Sequence, residues 1–276
     1  MTRSQQDKGL AFKALHERPG CFVLPNPWDV GSARLLAGLG FEALATTSAG
    51  FAFSIGRRDG EGKLSREDVL ENARAIVDVS DLPVSADLEG GFGDTPEDAA
   101  KTITEAARVG LVGGSIEDAT GRRDAPIHEF GLAVERVKAA VAAARALPFP
   151  FTLTARAENL AYGRPDMADT IRRLQAYQDA GADVLFAPGL PDLAAVRAVC
   201  AAVSRPVNAI GAMQNGGCSV DDLAAAGVKR ISLATALYRA AMTRLHEAAR
   251  EIRERGTFGF VARAMPSGEL NGFFRV

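Results

Sequence analysis

The sequence predicts an α/β fold, a (β/α)8 barrel of the TIM type with a C-terminal helical extension. Short apolar or β-branched runs alternate about eight times with longer segments of helical periodicity, the pattern of parallel strands joined by crossover helices. Eight such units need about 250 residues, and the chain has 276. No Pro- or Ser-rich linker divides it, so we expect one domain, with the barrel at about 20–240 and the helical extension at about 241–276.

Each predicted strand is followed by a predicted helix. The strands fall at residues 22–25, 43–46, 84–87, 114–117, 151–155, 184–186, 207–210 and 230–233. The helices fall at residues 30–37, 66–79, 95–109, 129–146, 167–180, 192–203, 220–225 and 234–255. Glycine ends several of these helices, as in AGLG at 37–40, because left-handed backbone there turns the chain toward the next strand.

An open, doubly wound sheet is the competing architecture. Such a sheet usually carries a Gly-rich phosphate-binding turn after its first strand. The first predicted strand here leads instead into NPWD at residues 26–29. This turn and the number of strands favour the barrel.

The composition excludes several classes of partner. Lys and Arg number 32 against 34 Asp and Glu, so the net charge of −2 supplies no positive field for nucleic acid or anionic membranes. Three widely spaced cysteines without a CxxC motif indicate neither a disulfide framework nor a structural zinc site. The N-terminus lacks the apolar region of a secretory signal, and no apolar run of about 18 residues follows. We therefore expect a cytoplasmic protein.

Carboxylates follow three successive predicted strands. Asp87 and Glu89 end the third strand two residues apart, so period-two geometry points both to one side. Glu117 and Asp118 end the fourth strand, and Asp59 lies in a glycine-flanked loop after the second. Because the catalytic groups of a parallel barrel come from the carboxyl ends of its strands, we expect four carboxylates to converge on one rim, those of Asp59, Asp87, Glu89 and Glu117.

Carboxylates held this close repel one another unless protons or a cation intervene. A hard divalent cation, Mg²⁺ or alternatively Mn²⁺, suits ligation by oxygen atoms with no Cys or His nearby. For any one of these acids, a helix cap or an ion pair with arginine is an equally good explanation. Their occurrence at three strand ends in succession favours the metal.

Two further segments at this rim suit an anionic ligand. Arg156 ends the fifth predicted strand, where its planar fork matches a carboxylate of the substrate or of a neighbouring glutamate. Ser48, Ala49 and Gly50 follow the second strand, where small side chains and backbone amides can hold an oxyanion. An ordinary turn between strand and helix explains the second segment equally well.

Other side chains near the rim have two interpretations each. Asn208 is polar within an apolar strand, so it faces the substrate or is a satisfied core amide. Trp28 closes over a ligand or fills the barrel mouth. His128 and Tyr162 are potential proton donors, although we expect His128 to begin a helix.

Taken together, these motifs resemble the isocitrate lyase/phosphoenolpyruvate mutase superfamily over residues 26–241. The most specific is D-x-(D/E)-x-G-(Y/F)-G, present as DLEGGFG at 87–93. It is supported by SAG at 48–50, GRRD at 56–59, IED at 116–118, ARAE at 155–158 and AYQDAGAD at 176–183. The resemblance implies a modified barrel with Mg²⁺ at Asp87, held directly or through water by Asp59, Glu89 and Glu117.

The resemblance also implies a reaction class. Members of the superfamily make or break C–C or P–C bonds next to a carboxylate, through an enolate or oxyanion that the metal stabilises. By this similarity, residues 48–50 hold the oxygens of a 2-oxo acid and Arg156 binds its carboxylate or enolate oxygen. We accordingly expect catalytic roles for Arg156, Glu117 and Asp59, and substrate contacts from Asp87 as well.

Two departures from the family patterns reduce the number of activities that fit this sequence. Isocitrate and methylisocitrate lyases carry a catalytic cysteine in a K-(K/R)-C-G-H segment after the fourth strand, but residues 119–128 here read ATGRRDAPIH. Phosphonate mutases place a histidine at the end of the sixth strand, which here ends FAP at 186–188. Both standard activities are therefore disfavoured.

The C-terminal tail predicts an oligomer. Four phenylalanines lie within residues 256–276, and rings of this size left in water would form an exposed apolar patch. They pack on the chain's own barrel or on a neighbouring subunit. The resemblance implies a C-terminal helix exchanged between the subunits of a homodimer or homotetramer.

We therefore expect a Mg²⁺-dependent lyase that acts on a C–C bond of a small 2-oxo or 2-hydroxy (di)carboxylic acid. The alternatives are a phosphonate (P–C bond) mutase or hydrolase of the same superfamily, and a non-catalytic 2-oxo acid binding protein. A phosphate-handling barrel is a further possibility, because Gly211 and NGG at 215–217 follow the seventh strand. The absence of a lysine beside them makes it remote.

Overall fold

Eight parallel strands form the centre of the fold. A computed structural model describes residues 3–60, 64–211 and 218–274. The strands follow the order β1-β8-β7-β6-β5-β4-β3-β2. They are β1 (Phe22–Leu24), β2 (Leu44–Ala45), β3 (Val84–Asp87), β4 (Gly113–Glu117), β5 (Thr152–Arg156), β6 (Val184–Phe186), β7 (Val207–Ile210) and β8 (Arg230–Ser232). All eight confirm the predicted strands, with ends that differ by at most one residue.

Helices surround the sheet, and further helices precede its first strand and follow its last strand. They are α1 (Gln5–Glu17), α2 (Val30–Gly38), α3 (Ser48–Ser54), α4 (Arg66–Asp78), α5 (Pro96–Arg108), α6 (Phe130–Arg145), α7 (Met167–Asp179), α8 (Leu193–Ala202), α9 (Val220–Ala225), α10 (Ala236–Arg255) and α11 (Ser267–Gly272). A 3₁₀ turn at Gly259–Arg263 lies between the last two. The sequence patterns did not predict α1 or α3.

The sheet closes into a barrel between β1 and β2. The backbone N–H of Ala45 donates to the carbonyl oxygen of Pro25 at 3.0 Å. The side chain of Asn26 reinforces this seam, since its amide donates to the Thr46 carbonyl at 3.0 Å and its oxygen accepts from the Leu233 N–H at 2.8 Å. The carboxyl ends of the strands therefore face one mouth, as the (β/α)8 prediction requires.

Local sequence signals fix where the helices begin. Thr95 caps α5, because its hydroxyl accepts from the Asp98 N–H at 3.2 Å while the Asp98 carboxylate accepts from the Thr95 N–H at 3.1 Å. Ser65 and Asp68 form the same reciprocal pair at the start of α4. Such capping boxes satisfy backbone donors that the helix leaves unpaired, so the loops that precede α4 and α5 enter these helices in one orientation.

Helix α1 covers the amino-terminal end of the barrel. Phe12 is fully buried and belongs to one apolar cluster with Phe22 and Val112. The Gln5 side chain donates to two backbone carbonyls near the start of β4, those of Ala107 and Leu111, at 2.7 and 2.9 Å. This end of the barrel is closed, and the site lies at the opposite mouth.

The C-terminal helix leaves much of its apolar surface uncovered. Leu245 on α10 is 59% exposed and Phe258 is 64% exposed. Phe273 packs against α2, where a Cβ at Gly38 would lie 2.6 Å from its ring. The chain's own barrel therefore buries only part of the aromatic tail. None of the helices described in these ranges is long and apolar enough to cross a membrane.

Candidate active site

A cavity of about 940 Å³ opens at the carboxyl-terminal mouth of the barrel. Its wall contains carboxylates from several strand ends and loops, those of Asp59, Asp87, Glu89, Glu117 and Glu158. Ser48 and Ala49 lie on the same wall. The sequence-predicted acids are therefore brought into one site.

Arg156 is the centre of this acidic cluster. One guanidinium nitrogen lies 2.8 Å from Asp87 Oδ1, another lies 3.0 Å from Glu117 Oε2, and Glu158 Oε1 is 2.8 Å from two of its nitrogens. The guanidinium also lies 5.1 Å from the Phe186 ring centroid. This side chain is 16% exposed, so one cation balances three partly or fully buried carboxylates.

Asp87 is held in a fixed orientation at the end of β3. Its Oδ2 accepts from the Ser48 hydroxyl at 2.8 Å and faces the Ser48 N–H at 3.4 Å, while its own N–H donates to the Thr46 hydroxyl at 3.1 Å. Ser48 begins α3, which Thr47 caps. The segment expected to hold an oxyanion, with an ordinary turn as the alternative, is thus the first turn of a short helix in which Ser48 contacts Asp87.

Glu89 adopts a backbone conformation that is rare for a side chain of its size. Its φ is +48°, in the left-handed region, which costs roughly 1–2 kcal/mol for an L-residue other than glycine. Burial, with the charges of Asp87 and Asp59, raises the pKa of Glu89 to about 7. Its side chain is therefore held at the acidic wall against both backbone strain and repulsion.

The neighbouring acids show the same excess of negative charge. Burial raises the pKa of Glu117 well above its ordinary range, although Arg156 opposes the shift. Burial raises the pKa of Glu158 as well. Desolvation and the Asp87 charge raise the pKa of Asp59. Arg156 is the guanidinium that pairs with this acidic cluster, and the pKa values of Glu117, Glu158 and Asp59 stay raised in spite of it.

These raised pKa values fit a divalent cation, but not a preformed cage of carboxylates. Among the residues that the structure describes, no three Asp, Glu, His or Cys side chains converge closely enough to ligate one ion directly. The four carboxylates expected on one rim all line this cavity, without forming a closed set of direct ligands among the described residues. Mg²⁺ typically uses one or two carboxylates and keeps several waters, which suits an ion at Asp87 with Asp59, Glu89 and Glu117 behind water.

Asp118 points away from the cavity, although it adjoins Glu117. Its carboxylate accepts from the Tyr177 hydroxyl at 2.7 Å, from Arg173 at 3.0 Å and from the Glu158 N–H at 2.8 Å. It is 3% exposed. Asp118 therefore connects β4 to α7 and orients the segment that carries Glu158.

Asn208 lines the cavity with its polar atoms already engaged. Its oxygen accepts from Arg230 Nε at 2.9 Å, and its nitrogen donates to the Ser232 hydroxyl at 2.9 Å. Arg230 lies on the cavity floor and also donates to Thr154 at 2.9 Å. Burial lowers the pKa of Arg230 to about 9. The structure thus places Asn208 at the site as one member of a buried polar network.

Two expected substrate contacts lie behind the described cavity wall. Trp28 packs edge-on against Tyr238, with the ring centroids 5.1 Å apart. The Gly50 N–H donates to the Thr47 hydroxyl at 3.2 Å and is buried. Trp28 lies behind α3 beside Gly50, which is a buried residue of that helix. Ser48 and Ala49 are the members of this segment that reach the cavity.

The two potential proton donors separate in the structure. Tyr162 lines the cavity, and burial together with the charges of Glu117 and Glu158 raises its pKa to about 12. His128 is buried before α6, and desolvation and Arg136 lower its pKa to about 4. Tyr162 therefore stays protonated at the site. Gly211 ends the described part of the β7 loop, and NGG at 215–217 lies outside the described residues.

Glu158 is one of the neighbouring glutamates expected to pair with Arg156, whereas the sequence did not predict Arg230 at this site. Glu158 follows Arg156 by two residues, and this spacing alone could have placed both on one side. Arg230 begins β8 and meets Thr154 and Asn208 from other strands. No local pattern signals contacts so distant along the chain.

The family is identified by comparison with known proteins. The sequence model of the phosphoenolpyruvate phosphomutase family matches residues 12–253. The chain therefore belongs to this family, within the isocitrate lyase/phosphoenolpyruvate mutase superfamily.

Three relatives illustrate the range of the superfamily. The chain is 32% identical to the 2-methylisocitrate lyase of Escherichia coli K12 over 211 residues, covering 74% of this chain and 70% of the relative. It is 28% identical to an oxaloacetate decarboxylase of Marinomonas sp. MWYL1, covering 91% and 88%. A crystal structure of a candidate lyase/mutase from Burkholderia cenocepacia J2315 aligns with a TM-score of 0.96 and 56% identity, covering 99% and 97%. The two curated relatives are carbon–carbon lyases.

Proposed function

We propose that this protein is a Mg²⁺-dependent lyase that acts on a C–C bond of a small 2-oxo or 2-hydroxy (di)carboxylic acid. The observation that carries the proposal is Arg156, held at 2.8–3.0 Å from Asp87, Glu117 and Glu158 at the mouth of the barrel. Arg156 is shared among three carboxylates, and a dication beside Asp87 would add the positive charge that an anionic substrate needs there. Enzymes of this superfamily are generally Mg²⁺-dependent.

The residues of the cavity wall have two kinds of role: some bind the ion and the substrate, and others transfer protons. Bound Mg²⁺ would supply positive charge beside the substrate oxygen on which negative charge develops. Asp87 would hold the ion directly, with Asp59, Glu89 and Glu117 contacting its waters. Arg156 orients the carboxylate of the substrate, and the first turn of α3, at Ser48 and Ala49, faces its oxygens.

Cleavage of a 2-hydroxy diacid requires two proton transfers. The hydroxyl loses its proton as the C–C bond breaks to leave a carbonyl, and the departing carbon takes up a proton. Either Asp59 or Glu117 accepts the one hydroxyl proton, because a raised pKa makes each carboxylate a stronger base than an ordinary one. Tyr162, which remains protonated at the cavity wall, is the donor.

A substrate panel tests the proposal. Purified protein with Mg²⁺ is incubated with oxaloacetate, substituted malates and related 2-oxo and 2-hydroxy diacids, and the products are identified by mass spectrometry. We expect C–C cleavage of at least one of them, abolished by EDTA and by Asp87→Ala. Turnover of a phosphonate instead would support the P–C alternative. Tight binding of a 2-oxo acid without any product would support the binding-protein alternative.

We also propose that a second copy of the chain covers the exposed face of α10. The large apolar side chains exposed on and just after this helix are Met242, Leu245, Ile252 and Phe258. Exposed apolar patches of this kind mark protein–protein contacts, and exchange of α10 within a homodimer or homotetramer would bury them. Light scattering coupled to size-exclusion chromatography tests this, and a monomer would contradict it.

A further inference from the structure

Side chains of the surrounding helices donate hydrogen bonds to the backbone carbonyls of the loop between Asp87 and α5. Arg136, on α6, donates from one nitrogen to the carbonyl oxygens of Gly93 at 2.8 Å and Thr95 at 3.1 Å. Its other terminal nitrogen donates to the Gly90 carbonyl. Three carbonyls of one loop thus converge on a single guanidinium.

Arg136 is dedicated to this loop. It is 1% exposed. Among the described residues, no carboxylate lies within salt-bridge distance of its guanidinium. Its Nε has no hydrogen-bond partner in the described part of the chain. A buried guanidinium is normally paired with an acid, but the groups that contact this one are loop carbonyls, while the charges of Asp94 and Asp98 stabilise it from a greater distance.

A second arginine holds the intervening part of the same loop. Arg66, on α4, reaches the carbonyl oxygens of Gly91 and Phe92 at 3.3 and 3.5 Å, and its Nε donates to the Thr102 hydroxyl at 2.8 Å. Thr102 in turn donates to the Gly91 carbonyl at 2.7 Å. The carbonyls of residues 90–93 are therefore all engaged by side chains of α4, α5 and α6.

The backbone of this loop requires such restraint. Glu89 and Phe92 have φ values of +48° and +57°, in the left-handed region. Gly90 lies so close to the loop after β4 that a Cβ there would stand 2.7 Å from the Ala119 carbonyl oxygen. Residues in such conformations persist where the surrounding structure determines them. The position of the Glu89 carboxylate depends on the left-handed backbone at Glu89.

We propose that Arg136 is a positioning residue for the metal site: by holding the carbonyls of the loop after β3, it places Glu89 beside Asp87 in the orientation that binds Mg²⁺. This inference rests on the proposed function, since it assigns the loop to the same metal site. Arg136 acts through the loop backbone and has no direct contact with the acids of the cavity wall described above.

Isothermal titration calorimetry, in which MgCl₂ is added to the protein without substrate, tests the proposal. Outer residues that orient metal ligands typically change metal affinity by about 10–100-fold. We expect Arg136→Met to weaken Mg²⁺ binding by about that factor, and Arg136→Lys to restore part of the affinity because it keeps the charge but loses the fork. Arg136→Gln, which keeps one donor, serves if Arg136→Met does not fold.

Arg145→Met is the matched control. Arg145 lies on the same helix and also donates to carbonyls, those of Phe151 and Gly181 at 3.3 and 3.0 Å, but at the opposite end of the barrel. We expect this variant to lower the melting temperature in EDTA while Mg²⁺ affinity stays within twofold of wild type.

Two results overturn the inference in distinguishable ways. If the Arg136 variants melt at lower temperature but bind Mg²⁺ within twofold of wild type, Arg136 is only structural and the proposed function stands. If the wild-type protein itself gives no Mg²⁺ binding, the inference and the metal-dependent function both fail.

Discussion

The carboxyl of Glu89 responds first to its burial and then to the charges of Asp87 and Asp59. Its pKa of about 7, against an ordinary value of 4.5, means that the folded protein binds this proton more tightly than the unfolded chain. The protonated form therefore contributes stability that is complete below pH 4.5 and is lost as the pH rises through about 7. At about 1.4 kcal/mol for each pKa unit, ionisation of Glu89 destabilises the folded protein by about 3 kcal/mol.

Glu89→Gln removes this titration. Without divalent cations, we expect wild type and Glu89→Gln to differ little in pH dependence below pH 4.5. Above about pH 8 the variant should have gained about 3 kcal/mol of unfolding free energy relative to wild type. Urea denaturation in EDTA at a series of pH values measures the difference.

A control and a metal titration complete this test. Glu135→Gln changes an exposed glutamate paired with Lys138, and its difference from wild type should not vary with pH. Saturating Mg²⁺ should raise the stability of wild type at pH 8 more than that of Glu89→Gln. A difference between wild type and Glu89→Gln that stays constant from pH 4 to pH 8 would refute the electrostatic reasoning.

Three further predictions follow from contacts in the site and the tail. Arg156→Met should lower the unfolding free energy at pH 7 by about 3–5 kcal/mol, because it leaves buried carboxylates unpaired; an unchanged urea midpoint would contradict this. Tyr162→Phe should lower kcat by about 10²–10⁴-fold with KM little changed, as expected for loss of a general acid, and steady-state kinetics with undiminished kcat would exclude the role. Leu245→Asp should convert the oligomer to smaller species in light scattering, whereas Leu10→Asp, at a leucine that is 50% exposed on α1, should not.

The strands and most helices could be predicted because their signals are local. Apolar runs and helical periodicity recur along the chain, and each barrel strand is buried by its neighbours in a regular way. Helix α3 was missed because Thr47, Ser48 and Gly50 suggest a turn, whereas Thr47 caps a short helix. Helix α1 was missed because its apolar positions pack on the closed end of the barrel, a contact that no local pattern reveals.

The acids of the site, and the pairing of Arg156 with a neighbouring glutamate, could be predicted from strand ends, but the pairing of Arg156 with Asp87 could not. Glu117 and Asp118 are adjacent in sequence, yet one faces the cavity and the other faces α7. Alternation along a strand accounts for the difference and could have separated them. The division of three carboxylates around Arg156 depends on the register of β3, β4 and β5, in which Glu117 lies opposite Arg156 while Asp87 lies opposite Ser115. Local sequence does not reveal that register.

The exposed tail illustrates a different limit. Four phenylalanines predicted a buried tail, and the single chain covers Phe273 while leaving Phe258 64% exposed. Hydrophobicity predicts that a surface is covered, but it does not identify what covers it. We propose a second subunit as the covering surface, and the mass of the protein in solution tests this.

A crystal structure of the protein with Mg²⁺ and oxalate is the most direct test of the metal-dependent site. Oxalate presents the paired oxygens of a 2-oxo acid without a bond for the enzyme to cleave. We predict an ion about 2.0–2.1 Å from a carboxylate oxygen of Asp87, with oxalate on its far side and Arg156 in contact with it. A cavity with no ion, in which Asp87 remains bound only to Arg156 and Ser48, would contradict the account.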